Sequence, residues 1–406
     1  MNRPHPSTQP RPPSEPTQHE HFHKRGGRPG HARPAACGTG QTPDPAHRTA
    51  GDQERAAFTA DRRPGRPAPA RRPDGGRLPL HSPQLALVRR RQQQLPRLFP
   101  FAAYGWLGVH LFFLISGFVI CMSCWDRPLG DFFVSRIIRV FPAYWIAIIA
   151  TTLTVTLVPG GLQPRKWHDV LVNFTMLQEP LHVPHVDGVY WTLFAELRFY
   201  LLLAAMAWWG LTYRHLLTLC CVWAAASALG ARSESVLLRL LIMPDYSWFF
   251  IAGIAFYLMH RFGPNILLTG VTLVCFCAAQ PSVNRVWHFS LKNMDRTVPY
   301  WPTLLVLAVC FGLMALVATG KLSWCTWRWL PIAGALTYPL YLLHEYIGWE
   351  IIRHFSTRLP HHTLLIATVT AMLLAAHLIH RCVERPVSRW LKPRLKTALR
   401  QTDPHR

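Results

Sequence analysis

Residues 104–125 read YGWLGVHLFFLISGFVICMSCW, and 131–145 read DFFVSRIIRVFPAYW. The first stretch is apolar for long enough to cross a bilayer, yet it holds His110 and Ser116. The second opens with Arg136 and Arg139, three residues apart, before it too turns apolar. Apolar runs of about 18 residues or more are the mark of transmembrane helices. Polar and charged groups inside such runs cost roughly 2.5–3.5 kcal/mol each, so each one needs a reason.

Working outward, the chain divides into two materials. Residues 1–100 hold 18 of the 35 prolines and 18 of the 43 Lys and Arg residues, against 7 acidic residues. Such a segment buries too little apolar surface to offset chain entropy, so residues 1–97 read as a disordered, basic, Pro/Arg-rich segment. Residues 98–384 read as a membrane domain, and 385–406 as a basic tail. Nine spans are expected, at 104–124, 137–158, 190–211, 214–231, 246–260, 264–280, 303–319, 331–352 and 362–382. The fold class expected is therefore an all-α polytopic bundle.

The net charge of +23 invites a nucleic-acid reading. The N-terminal arginines sit among Pro, Gly and Ala with almost no aromatic residues to stack on bases, and the C-terminal cations follow an apolar helix. Positive-inside topology explains the latter and places the C-terminus in the cytoplasm of a multi-pass cell-membrane protein. No nucleic-acid partner is expected. The ten cysteines lie mostly in apolar runs, where they act as small hydrophobes. The Cys121–Cys124 pair has no second pair at metal-ligand spacing, and no metal site is expected.

Four places carry candidate chemistry. Arg136 and Arg139 share a helix face at a helix start, which suits bidentate phosphate binding as well as plain anchoring at the interface. YWTLFAELRFY (190–200) sets Glu196 and Tyr200 four apart behind Trp191, for a structural contact or for orienting a reacting group. LTYPLYLLHEY (336–346) places His344 beside Glu345, with Tyr338, Tyr341 and Glu345 near one face; the histidine suits a general base or a satisfied core position. His110 stays open between those roles. Ser116 reads as a packing residue beside Gly117, the small residue of a close helix crossing.

These blocks, followed by HRCVERPVSRWLK (380–392), stand in the order seen in the acyltransferase-3 family of integral-membrane O-acyltransferases, and the similarity covers roughly residues 101–392. The resemblance implies an enzyme that moves an acyl group, often acetyl, from acyl-CoA as co-substrate to a hydroxyl of a carbohydrate, glycolipid or secondary metabolite. Its partners would be the donor, the hydroxyl-bearing acceptor and the lipid bilayer, with no bound cofactor. It assigns Arg136 and Arg139 to the donor and maps its E-x-x-x-Y onto Glu196 and Tyr200 and its penultimate-span histidine onto His344. The residues themselves offer Glu196, His344 and His110 for catalysis, the two histidines only as substitutes for the family's base, and Trp191 and Tyr200 for substrate binding. The family pattern has ten spans, the first bearing an arginine and a late histidine that acts as base. Residues 1–97 lack such a span and resemble an out-of-frame translation of GC-rich DNA, so the expected first span lies in another upstream frame and activity of the chain as written is expected to suffer. The rival expectations are a non-catalytic degenerate relative and a transporter or flippase for a lipid or sugar conjugate.

Overall fold

The computed structural model describes residues 99–402 except 126, 293, 295 and 296. The reading of residues 1–97 lies outside the described residues. The regular structure among those described is all helical, with no strand among them. In hydrocarbon every backbone N–H and C=O must be satisfied within its own segment, which the helix alone achieves for an isolated span.

The chain order is α1 (Gly108–Cys124), α2 (Leu129–Leu157), α3 (Trp191–Trp208), α4 (Tyr213–Gly230), α5 (Ser247–Phe262), α6 (Ile266–Lys292), α7 (Trp301–Ala318), α8 (Leu330–Leu343), α9 (Tyr346–Phe355), α10 (His361–Ile379) and α11 (Arg385–Thr402). Short helices at Trp167–Asn173 and Val236–Ile242 lie in the connections. Among the described residues seven helical segments are long and apolar enough to cross a membrane. Each of the nine expected stretches is helical, but α4 falls outside the seven and 331–352 is interrupted. The interruption has a local cause. Asp187 Oδ2 accepts the Tyr346 N–H at 3.1 Å, so a side chain from another segment enters the helix ladder and the path breaks at His344–Glu345.

Helix α5 forms the centre, buried at every position from Ser247 to Met259. It crosses α1 where Gly117 meets Gly253, and a Cβ on Gly117 would lie 2.9 Å from Gly253 Cα. The expected small-residue crossing is thus present, and the absence of both side chains lets the backbones touch. Large apolar side chains point outward instead, among them Leu153 and Leu157 on α2 and Ile366 and Leu374 on α10, as a lipid-facing surface requires. Of the tryptophans expected to form an aromatic belt at span ends, Trp208, Trp209, Trp301, Trp324, Trp327 and Trp329 are exposed, whereas Trp248 is buried because it starts the central helix α5.

Candidate active site

A polar stripe runs along α3. Thr192, Glu196 and Tyr200 recur every fourth residue, so they share one face at about 6 Å per step. All three are buried. Ser116 on α1 donates a hydrogen bond to Glu196 Oε1 at 3.3 Å, and the Tyr200 hydroxyl is in reach of the same carboxylate. Both arginines of α2 act electrostatically on Glu196 and Tyr200. The Arg136 guanidinium carbon lies 5.8 Å from the Tyr200 ring centroid and 5.8 Å from that of Phe132. Its Nε is buried without a hydrogen-bond partner. A buried charged donor with no acceptor is costly, and a ligand anion would supply the missing one. Arg139 is exposed.

Helix α8 lines the other side. Tyr338 donates to the Val140 carbonyl, one residue past Arg139, at 2.9 Å and lies in electrostatic reach of Glu196 and Tyr200. One turn on, the Tyr341 hydroxyl sits 2.8 Å from Thr192 Oγ1 and donates to the Val189 carbonyl at 3.1 Å. Its ring stacks parallel on Phe112. The polar line therefore extends from the arginine pair past Glu196 to the helix break.

At that break His344 is exposed, and its Nδ1 lies 2.7 Å from the Tyr341 carbonyl. A carbonyl can only accept, so Nδ1 carries a proton, and in the neutral ring the lone pair is on Nε2. Glu345 turns the other way, toward Asp187. Asp187 is fully buried; its Oδ1 accepts from Val189 N at 3.2 Å, and burial pushes its carboxyl up to about 7. Gly188 makes room for this pair, because a Cβ there would overlap the Glu345 carboxylate. Two carboxyls this close without a cation between them hold a proton in common.

The structure thus gathers Arg136, Arg139, Glu196 and Tyr200, and continues the line to His344. It does not bring His110 or Trp191 into that line. His110 is buried edge-on between Trp106 and Phe249, with centroids at 5.3 and 4.7 Å. Trp191, one residue off the α3 stripe, packs on Tyr246 and Phe113. Ser116, read as packing from sequence, also faces the carboxylate. Asp187 and Thr192 escaped the sequence reading, although an Asp-Gly pair just before an apolar run is a helix-start signal.

The comparisons with known proteins bear on the family of the chain. Residues 80–380 match the acyltransferase-3 family model, described as an acyltransferase domain. Nodulation protein 10 of Rhizobium leguminosarum bv. viciae is 35% identical over 116 residues, which are 24% of this chain and 31% of that protein. The match therefore spans about a third of that relative's length. No solved structure matches the chain. With the family model covering well over half of its length, the chain belongs to the acyltransferase-3 family.

Proposed function

We propose that this membrane acyltransferase moves an acyl group, acetyl being the simplest case, from acyl-CoA to a hydroxyl of a carbohydrate, glycolipid or secondary metabolite. The observation that carries the reading is the cluster of buried Tyr200, Glu196 and Ser116 with the half-buried Arg136, whose Nε lacks an acceptor. Guanidiniums on one helix face suit phosphate, and CoA carries a diphosphate and a 3′-phosphate. The arginine pair lies about 10–15 Å along α2 from its start. A donor bound there through its phosphates would point its thioester along the α3 stripe toward the break at His344.

The acceptor hydroxyl gives its proton to His344 Nε2, the free lone pair that the Tyr341 carbonyl fixes. The hydroxyl oxygen bonds to the thioester carbon, the C–S bond breaks, and the proton passes to the departing thiolate. Glu196 holds Tyr200 and Ser116 and keeps the arginines oriented. We place the Arg136 end of the bundle in the cytoplasm. The short connections on that side carry Arg214, Arg261, Lys321 and Arg328, and α11 brings further cations to the same side.

The test is acyl transfer from radiolabelled acetyl-CoA in membranes holding the full chain, followed through the glycolipid and polysaccharide fractions. Label that depends on the chain supports the reading. Label that is the same without it, or movement of an unmodified lipid or sugar conjugate across the bilayer instead, overturns it.

A further inference from the structure

Between α10 and α11 the helix loosens into one π turn, His380–Glu384. Such turns carry poorer backbone geometry than the α-helix and gather at functional sites. Here the turn frames a side-chain relay. His380 Nδ1 lies 2.6 Å from Glu384 Oε2, and Arg385 Nε donates to His380 Nε2 at 3.2 Å. A guanidinium N–H only donates, so Nε2 accepts and Nδ1 carries the proton given to Glu384. Both ring nitrogens are therefore engaged. The carboxylate, through the ring, fixes the direction of Arg385, whose side chain is exposed.

This relay belongs beside the arginine pair. The π turn and α11 both pack on α2, the helix of Arg136 and Arg139. Glu384 is in electrostatic reach of Tyr338, whose hydroxyl rests on the Val140 carbonyl and which also feels Glu196 and Tyr200. A hydrophobic anchor, Val383, sits against the core from the same turn. The relay thus stands beside the helix that carries Arg136 and Arg139.

We infer that Arg385, held by His380 and Glu384, is the outer cation of the donor site and binds the 3′-phosphate of the acyl donor. The inference rests on the acyl-CoA reading above. In CoA the thiol and the 3′-phosphate lie at opposite ends. A donor whose thioester points into the bundle leaves the 3′-phosphate outermost, where Arg385 stands, while the arginine pair takes the diphosphate. An exposed arginine near a bilayer could also take a lipid phosphate; the chemistry is shared, and the experiment separates the two sources.

The experiment is equilibrium binding of CoA and of 3′-dephospho-CoA to the full chain in phosphatidylcholine nanodiscs. The wild type is expected to prefer CoA roughly tenfold, the worth of one charge-assisted contact. Arg385→Gln should bring the two affinities level, Glu384→Gln should narrow the gap, and Arg385→Lys should restore part of it. A gap that survives Arg385→Gln overturns the inference. So does an Arg385→Gln variant that loses only its binding to phosphatidylglycerol vesicles, since Arg385 would then hold a lipid phosphate. If the wild type binds CoA and the Arg136→Ala/Arg139→Ala variant does not, while Arg385→Gln leaves the gap unchanged, this inference alone fails. If the wild type binds no CoA, the donor reading fails and takes the inference with it.

Discussion

Ser116 on α1 and Glu196 on α3, 80 residues apart in the chain, meet in a 3.3 Å hydrogen bond inside the membrane bundle. The bond joins the helix next to the central α5 crossing to the stripe that faces the arginine pair. It makes the carboxylate, with Arg136 and Arg139 acting on it, the centre of the polar line.

Replacing the two partners should have unequal effects. Glu196→Gln keeps an acceptor for Ser116 but removes the charge that offsets the guanidiniums; a loss of about 3 kcal/mol, or roughly 100-fold in transfer rate, is expected. Ser116→Ala removes one neutral donor and should cost about 0.5–1.5 kcal/mol, tenfold at most. Initial rates of acyl transfer decide it, and a larger loss for Ser116→Ala than for Glu196→Gln would move the centre of the site to the serine.

The Gly117–Gly253 crossing sets a packing prediction. A Cβ on Gly117 would stand 2.5 Å from the Phe250 carbonyl oxygen, and both contacting groups are backbone that cannot rotate away. Gly117→Ala should destabilise by about 1–3 kcal/mol, read as a lower melting temperature of the detergent-purified chain. Gly334→Ala, where an added Cβ meets open space, serves as the control and should leave the melting temperature unchanged.

Asp187 predicts a pH dependence of stability. Burial raises its folded pKa from 3.8 to about 7, so the folded state binds the proton more tightly than the unfolded chain does. That contribution is complete at pH 4 and below and is lost as pH rises through 7. The charged groups around it are Glu345, against it, and Arg165, which acts on Tyr346 beside it. The melting temperature should fall between pH 5 and pH 8, and Asp187→Asn should flatten that fall; an equally steep fall in the variant would assign it elsewhere.

Glu350 ties the connection after α2 to α9. It is 2% exposed, accepts from Leu162 N at 2.7 Å and from Arg353 Nε at 2.9 Å. Glu350→Ala leaves both donors unmatched and should cost about 3–5 kcal/mol. Trypsin cleavage at the exposed Arg165–Lys166 should quicken, and an unchanged cleavage rate would show the connection is held by other contacts.

The spans were legible because lipid demands long apolar runs, and the Glu196–Tyr200 spacing was legible because a helix repeats locally. Ser116 was not, since its partner lies on another helix, and a serine in an apolar run reads first as bonded to its own backbone. The break at His344–Glu345 was hidden for the same reason: the Asp187 side chain that opens it comes from a distant connection. The relay of the π turn needs a register shift that no period in the sequence announces. The arginine pair was visible in the sequence, but its buried, unmatched Nε was not.

The central claim is that Arg136 and Arg139 hold an acyl donor by its phosphates. It is tested most directly by calorimetric binding of acetyl-CoA to the full chain in nanodiscs, with and without Arg136→Ala/Arg139→Ala. The account predicts saturable binding that weakens roughly 100-fold or more in the double variant, with the variant still inserted in the bilayer. Equal affinity in the two proteins would contradict it.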